Sequence, residues 1–525
     1  MKNRSSFCKV STGMLIFALS TPALLVGCSG PQPKTEGAIY DTGKVAEYAA
    51  PYVSYDANYN TEEYNAIDES NFKAVATSPL STFAADVDTA SYANIRRFIN
   101  SGELPPADAV RIEEMLNYFH YDYPQPNEGE PFSVTTEISA CPWNPDTKLM
   151  MVGMQAKSME ELEKKPSNLV FLIDVSGSMD SPDKLPLVKN AFLLLCDQLK
   201  ENDTISIVTY AGSDQVVLEG AKGSDSKEIM TAIEDLEAGG STAGSKGIKT
   251  AYEIAGKYFK ADGNNRVILA TDGDLNVGIT SEGELTRLIK KEKESGVFLS
   301  VLGFGTENIK DNKMEALADN GNGNYSYIDS RFEAKKVLSE ELGANFFTVA
   351  KDVKFQLEFN PKFIKGYRLI GYENRIMDDE DFKDDTKDGG EIGSGHRVTV
   401  LYEIVDKDSP MDIGSDLKYQ SSAVTESNDL LNIAVRYKEP DSETSKELNY
   451  PVTTEAIKAE LSDNMKFASA VAETGMLLRD SEFKGKSSYD SVVSILDSIP
   501  DIKNDTSKLE FLLLVKKIAS MAKEQ

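Results

Sequence analysis

Asp174, Ser176 and Ser178 form a DxSxS run within Asp174-Val175-Ser176-Gly177-Ser178-Met179. Alternate spacing sets three oxygen-bearing side chains along one turn so that they can converge, and Gly177 relaxes the backbone between them. Hydroxyls and carboxylates suit a hard divalent cation. Mg²⁺ in particular takes near-octahedral oxygen ligation at about 2.0 to 2.1 Å and keeps several waters. The alternative for the same residues is structural, with serines capping a helix and Asp174 ending a strand.

The segment before this run is Leu169-Val170-Phe171-Leu172-Ile173, an apolar stretch without alternation, as expected of a strand buried on both faces. Thr204–Tyr210, Arg266–Ala270 and Val297–Gly303 read the same way, and helical patterns lie near 185–200, 226–236, 244–259, 282–295 and 312–318. Strand alternating with helix between 167 and 347 predicts an α/β domain with a doubly wound, mostly parallel sheet, and such sheets bind ligands at their carboxyl edge. The DxSxS run stands at that edge.

Here the chain resembles the von Willebrand factor type A (VWA) family. The resemblance rests on the DxSxS run, on Gly239-Gly240-Ser241-Thr242, and on Thr271-Asp272-Gly273, three loops in order at one sheet edge. It implies a metal-ion-dependent adhesion site in which Ser176, Ser178 and Thr242 are ligands. Asp174 and Asp272 would bind directly or through water. The ion implied is Mg²⁺, with Mn²⁺ and Ca²⁺ as alternatives. Few negative charges would then touch the ion, leaving it electrophilic toward an Asp or Glu carboxylate of a protein partner. A metal that only holds the loops together is the other reading.

Further segments resemble a bacterial family of VWA lipoproteins: Ser81-Thr82-Phe83-Ala84-Ala85-Asp86-Val87-Asp88-Thr89-Ala90-Ser91-Tyr92, Leu104-Pro105-Pro106, Val110-Arg111-Ile112-Glu113-Glu114, Gly371-Tyr372-Glu373-Asn374-Arg375 and the 389–396 stretch. The family implies an envelope location and binding rather than a defined reaction.

Outside the α/β segment the period changes. Phe132–Ser139 and Lys148–Gln155 alternate like half-buried paired strands, and so do Val353–Phe359, Tyr367–Tyr372, Arg397–Ile404 and Leu430–Tyr437. Because similar strands flank the α/β segment on both sides, the α/β domain is expected to be inserted in, or flanked by, an antiparallel β-sandwich. The domain plan is 1–27 signal peptide, 28–79 lipidated cysteine and flexible tether, 80–130 helical region, 131–166 strands joining the sandwich, 167–347 VWA domain, 348–450 sandwich and 451–525 helical tail.

The amino terminus gives an address. Lys2, Arg4 and Lys9 precede an apolar run from Met14 to Val26. Thirteen residues of helix span about 20 Å, short of a bilayer core of roughly 30 Å, so a signal peptide is expected. Leu25-Val26-Gly27-Cys28 resembles a bacterial lipobox, which implies lipidation of Cys28, and Ser29 is compatible with the outer membrane or cell surface. Cys141 and Cys196 are expected to be unpaired thiols.

Composition narrows the chemistry. Lys plus Arg number 56 against 85 Asp plus Glu, a formal charge of −29, which repels phosphate backbones and argues against nucleic acid. Two histidines, His120 and His396, cannot build a multi-histidine metal centre and accompany no nucleophile motif. The expected function is a lipid-anchored envelope binding protein, not an enzyme. The alternatives are an envelope assembly scaffold using the same site, and a hydrolase whose metal-activated water would use Asp274 as base. An acidic loop at 378–388, with Asp384, Asp385, Asp388 and Glu391, reads as a solvated hairpin, with a Ca²⁺ site as the alternative.

Overall fold

Every residue of the strand Ser167–Asp174 is buried, which demands cover on both faces of its sheet. The computed structural model describes residues 62–524 except 86–87, 159–164, 241–243, 274–281, 307, 342–344, 346, 415–425 and 441. Asn58–Gln525 form one unit. The signal peptide, Cys28 and most of the tether therefore lie outside the described residues.

Ser167–Asp174 is central in a six-stranded sheet. It pairs in parallel with Thr204–Tyr210 on one side and Asn264–Thr271 on the other. Phe298–Phe304 and Tyr325–Ile328 extend the parallel set, and Asp214–Lys222 closes the opposite edge antiparallel to Thr204–Tyr210. This is the expected doubly wound sheet. The two outermost strands were not anticipated: Asp214–Lys222 is half exposed and Tyr325–Ile328 spans four residues, so neither carries a long apolar run.

Helices cover both faces. Leu169, Phe171 and Ile173 pack with Val188 and Phe192 of the helix Leu185–Cys196 and with Ile229 and Ile233 of Ser226–Glu234. Val170 and Leu172 point the other way, toward Ile248 and Ala251 of Gly244–Lys257 and toward Ala90 and Ala93 of Ala90–Ser101. Alternate side chains on one strand thus anchor opposite helical layers.

The flanking strands form two antiparallel sheets. Lys148–Ala156 pairs with both Phe132–Ala140 and Arg397–Asp406, so strands from before and after the α/β domain share one sheet and that domain is inserted between them. The second sheet is built on Thr348–Phe359, which pairs with Gly390–Gly393, Leu431–Lys438 and Leu80–Ala84. Phe83, Val152, Phe355, Tyr367 and Tyr402 fill the space between the sheets, with Phe83 stacked on Phe355 at 5.2 Å.

Three expectations are corrected here. Lys148–Ala156 is buried on both faces rather than half-buried, because a helical layer covers its other side: Leu149 and Met151 pack with Met115, Phe467, Met476 and Phe511. Leu80–Ala84 is a strand, not part of a helical region, since Ser81 and Phe83 are drawn into the sandwich. Residues 62–79 are no tether. Lys73–Ala74 pairs with Tyr367 and Gly366, Glu62 forms an ion pair with Arg97 at 3.0 Å, and the Tyr64 hydroxyl accepts from Asn94 Nδ2 at 2.7 Å. Tyr64 and the charged partners of this arm hold it on the body. Cys141 and Cys196 are buried and unpaired, as expected.

A buried ion cluster ties the first helix to the inserted domain. Arg96 reaches Asp329 at 2.5 Å and Glu333 at 2.7 Å, and Glu333 also accepts from the Tyr118 hydroxyl at 2.7 Å. Arg96 also reaches Glu510 at 3.1 Å, so Arg96→Met leaves the buried Asp329 and Glu333 without their cation and is expected to cost about 3–5 kcal/mol in urea unfolding of the full-length chain; a loss under about 1 kcal/mol would contradict a role for this cluster. A second group reports on pH. Burial pushes the Glu473 carboxyl from its ordinary 4.5 up to about 7, so the folded state holds the proton more tightly than the unfolded one. Stability from this group falls as pH rises from 4.5 to 7, and Glu473→Gln is expected to flatten that slope.

Candidate metal site at the carboxyl edge of the parallel sheet

The parallel register places the site. Asp174 is paired with Tyr210 on one neighbouring strand, and Ile173 with Ala270 on the other, so Asp272 leaves the adjacent strand one residue beyond its end. Both carboxylates are therefore delivered by strand ends whose apolar residues fix their height, and Asp174 and Asp272 are 0% and 1% exposed.

The loop after Asp174 is tightly specified. Asp174 Oδ1 accepts from the Ser176 backbone N–H at 2.8 Å, which turns the chain. The hydroxyls of Ser176 and Ser178 then stand 2.9 Å apart, as the alternate spacing predicts. The neighbouring loop is laced to this one: Gly177 N–H donates to Gly240 O at 3.1 Å, and Gly239 N–H to Val175 O at 2.8 Å. Gly240 has a φ of +84°, a conformation that favours glycine. Thr242 itself lies outside the described residues, as does Asp274; the chain leading to Thr242 is held against the serine loop. Of the five expected ligands, then, Asp174, Ser176 and Ser178 share one turn, Asp272 lies on the adjoining strand end, and Thr242 is not described.

Two features mark the donor set as suited to a cation. Asp174 Oδ2 is buried with no hydrogen bond of good geometry, and the Tyr210 hydroxyl, itself buried, stands near enough to favour the charged carboxylate in part. Burial pushes the Asp174 carboxyl up to about 6, opposed by the bonds from Ser176. Such a carboxylate lacks a counter-charge of its own. Among the described residues no group of three or more His, Cys, Asp or Glu side chains is placed to hold a metal. A cation here would have to rely on hydroxyls and water beside carboxylate, which is the chemistry of a hard ion such as Mg²⁺.

One residue escaped the sequence reading. Lys184 Nζ donates to Asp272 Oδ2 at 2.9 Å, and the Asp272 side chain is wholly buried. A lysine just before the helix Leu185–Cys196, in the segment that follows the serine loop, was the available signal.

The other candidates do not converge. Burial lowers the His396 imidazole to about 4, and His120 lies exposed against the Arg397 guanidinium. In the acidic loop Asp385 pairs with Arg436 at 2.8 Å and Asp388 with Lys293 at 2.8 Å, while Asp384 accepts from Thr386. Those carboxylates are matched with cations and a hydroxyl, as a solvated hairpin requires. A cavity of about 1200 Å³ opens at the other end of the parallel sheet, by Asn264, Asn265 and Phe298, remote from Asp174 along the strands.

A parallel sheet with DxSxS and an aspartate at its carboxyl edge defines a VWA protein. Family models agree: the von Willebrand factor type A domain matches residues 168–341, a second von Willebrand factor model matches 58–151, and the model "Uncharacterized protein YfbK, C-terminal" matches 344–521. The uncharacterized protein YfbK of Escherichia coli (strain K12) is 40% identical over 493 residues, covering 92% of this chain and 85% of the relative. The chain belongs to the YfbK family. The uncharacterized protein sll0103 of Synechocystis is 31% identical over 188 residues, 35% of this chain and 43% of that protein. Among solved structures, a von Willebrand factor type A protein from Catenulispora acidiphila aligns with a TM-score of 0.38 at 18% identity, over 65% of this chain and 79% of that one. Domains of this type commonly mediate protein–protein interaction.

Isothermal titration of the full-length chain with Mg²⁺ and Mn²⁺ checks the site. Asp174→Ala is expected to abolish binding, and Ser176→Ala to weaken it by about tenfold or more, the loss of a charge-assisted contact. Binding unchanged in both variants would place any ion elsewhere.

Proposed function

We propose that this chain is a lipid-anchored binding protein of the bacterial cell envelope, at the outer membrane or cell surface. Its VWA site would hold Mg²⁺, or Mn²⁺ or Ca²⁺, through Ser176, Ser178 and Thr242, with Asp174 and Asp272 direct or through water. The ion's remaining position would accept an Asp or Glu carboxylate of a protein partner. The observation that carries this reading is the buried Asp174 carboxylate, with a free oxygen beside two hydroxyls 2.9 Å apart at a sheet edge.

A cation bound there supplies an electrophile; the chain supplies position. Strand burial fixes Asp174 and Asp272, and the Gly177–Gly240 bond holds Gly240, two residues before Thr242 in the chain, against the serine loop. The envelope address rests on the sequence alone, on Lys2 to Cys28. The formal charge of −29 opposes long-range attraction of an acidic partner, so recognition is local and added salt aids it. No nucleic-acid role and no catalytic step is part of the proposal.

In-cell crosslinking with and without chelator tests it. The expected result is a set of protein partners present with the unaltered chain and lost both with chelator and with Asp174→Ala. Partners outside the cell favour an adhesive role, and neighbouring envelope proteins favour assembly. An unchanged partner set in both conditions would overturn the metal-dependent reading.

A further inference from the structure

We propose that Lys184 is a built-in counter-charge that neutralises Asp272 and thereby limits how tightly the site holds a divalent ion, making the partner's carboxylate the missing negative charge. The inference rests on the metal-site reading above and concerns its strength.

Lys184 is not a loose surface lysine. It is 9% exposed, and its ammonium lies 2.9 Å from a carboxylate that has no exposure at all. Its backbone N–H donates to Ser181 O at 3.0 Å, which fixes the residue at the entrance to the helix Leu185–Cys196. The aliphatic stem then runs across Gly305. A Cβ at Gly305 would stand 2.4 Å from Lys184 Cε and 2.5 Å from Cγ, and Gly305 has a φ of +80°. The carbonyl of Gly305 is in turn held by the Tyr327 hydroxyl at 2.7 Å. A glycine thus leaves the channel through which the lysine reaches Asp272.

The electrostatic consequence follows from where the charges stand. Asp174 and Asp272 stand at neighbouring strand ends, since Ile173 is paired with Ala270 and Asp272 follows the last residue of that adjacent strand. With Asp272 matched by Lys184, Asp174 is the carboxylate left for a dication, and the ammonium repels any ion placed beside it. A dication with one protein carboxylate keeps excess positive charge. A carboxylate brought by a partner relieves that excess, so ion and partner bind better together than apart.

The test is titration of the full-length chain and its variants with Mg²⁺ and Mn²⁺, paired with thermal melting with and without saturating Mg²⁺. Lys184→Met is expected to bind either ion about tenfold or more tightly. Without metal it should melt lower, because Asp272 loses its partner, and it should gain more from Mg²⁺ than the unaltered chain does. Lys184→Arg keeps the charge and should match the unaltered affinity. Lys184→Gln retains a donor to Asp272 without charge, and serves if the methionine variant does not fold. In Lys184→Met/Asp272→Asn the gain should vanish. Unchanged or weaker binding in both the methionine and glutamine variants, with Asp174→Ala still abolishing it, would overturn the lysine proposal while leaving the metal site intact. No ion binding in any variant would overturn the metal-site reading itself.

Discussion

A carboxylate buried at the end of a strand that is covered on both faces is the constraint on which the rest of this structure depends. Asp174 can stand there only because Val170 and Leu172 on one face and Leu169, Phe171 and Ile173 on the other lock the strand at a fixed height. Burying that carboxylate is costly unless it is matched by a proton, a donor or a cation. The structure supplies part of the match, a backbone N–H from Ser176 to one oxygen, and leaves the second oxygen without a hydrogen bond. The loop that turns on this interaction presents the two serine hydroxyls. Loop shape and ligand set therefore share one cause.

The surrounding layers act as a mount. The inserted domain follows Lys148–Ala156 of the first antiparallel sheet and leads into Thr348–Phe359 of the second; the inner face of the first sheet meets the second sheet and its outer face meets the helices of residues 463–524. Arg96, Asp329 and Glu333 pin the helix Ala90–Ser101 to the domain, and Arg111, just before the helix Ile112–Asn117, does the same through Asp311 and Glu315 at 2.7 and 3.0 Å. Shifting the helices relative to the domain would separate these pairs and leave buried charges uncompensated, which is costly. A binding site on a domain fixed at both its ends and along its side is held at a defined angle to the body that carries it.

Much of this was legible in the residues, for identifiable reasons. The unbroken apolar runs at 169–173, 204–210, 266–270 and 297–303 announced strands buried on both faces, and alternating helices gave the parallel sheet. What stayed hidden had weak or shared signals. Asp214–Lys222 lies half exposed at an edge, and Tyr325–Ile328 spans only four residues. The arm at 62–79 has no period because it is held by individual contacts, such as Tyr64 to Asn94, rather than by a regular face. Lys148–Ala156 looked half-buried because Lys148, Gly153 and Gln155 interrupt its apolar residues, yet every residue from Leu149 to Ala156 is buried. At the site, oxygen-bearing residue types and their spacing pointed to Asp174, Ser176 and Ser178. The lysine beside Asp272 required coordinates, since nothing in a sequence says which of many lysines turns inward.

The central claim, that Asp174 and the two serines gather around a divalent ion, is tested most directly by a crystal of the chain grown with Mn²⁺ and measured for anomalous scattering. The account predicts one strong anomalous peak at the carboxyl edge of the parallel sheet, at about 2.0 to 2.3 Å from the hydroxyl oxygens of Ser176 and Ser178. A map with no peak there, or with Mn²⁺ bound only at the acidic loop of residues 378–388, would contradict it.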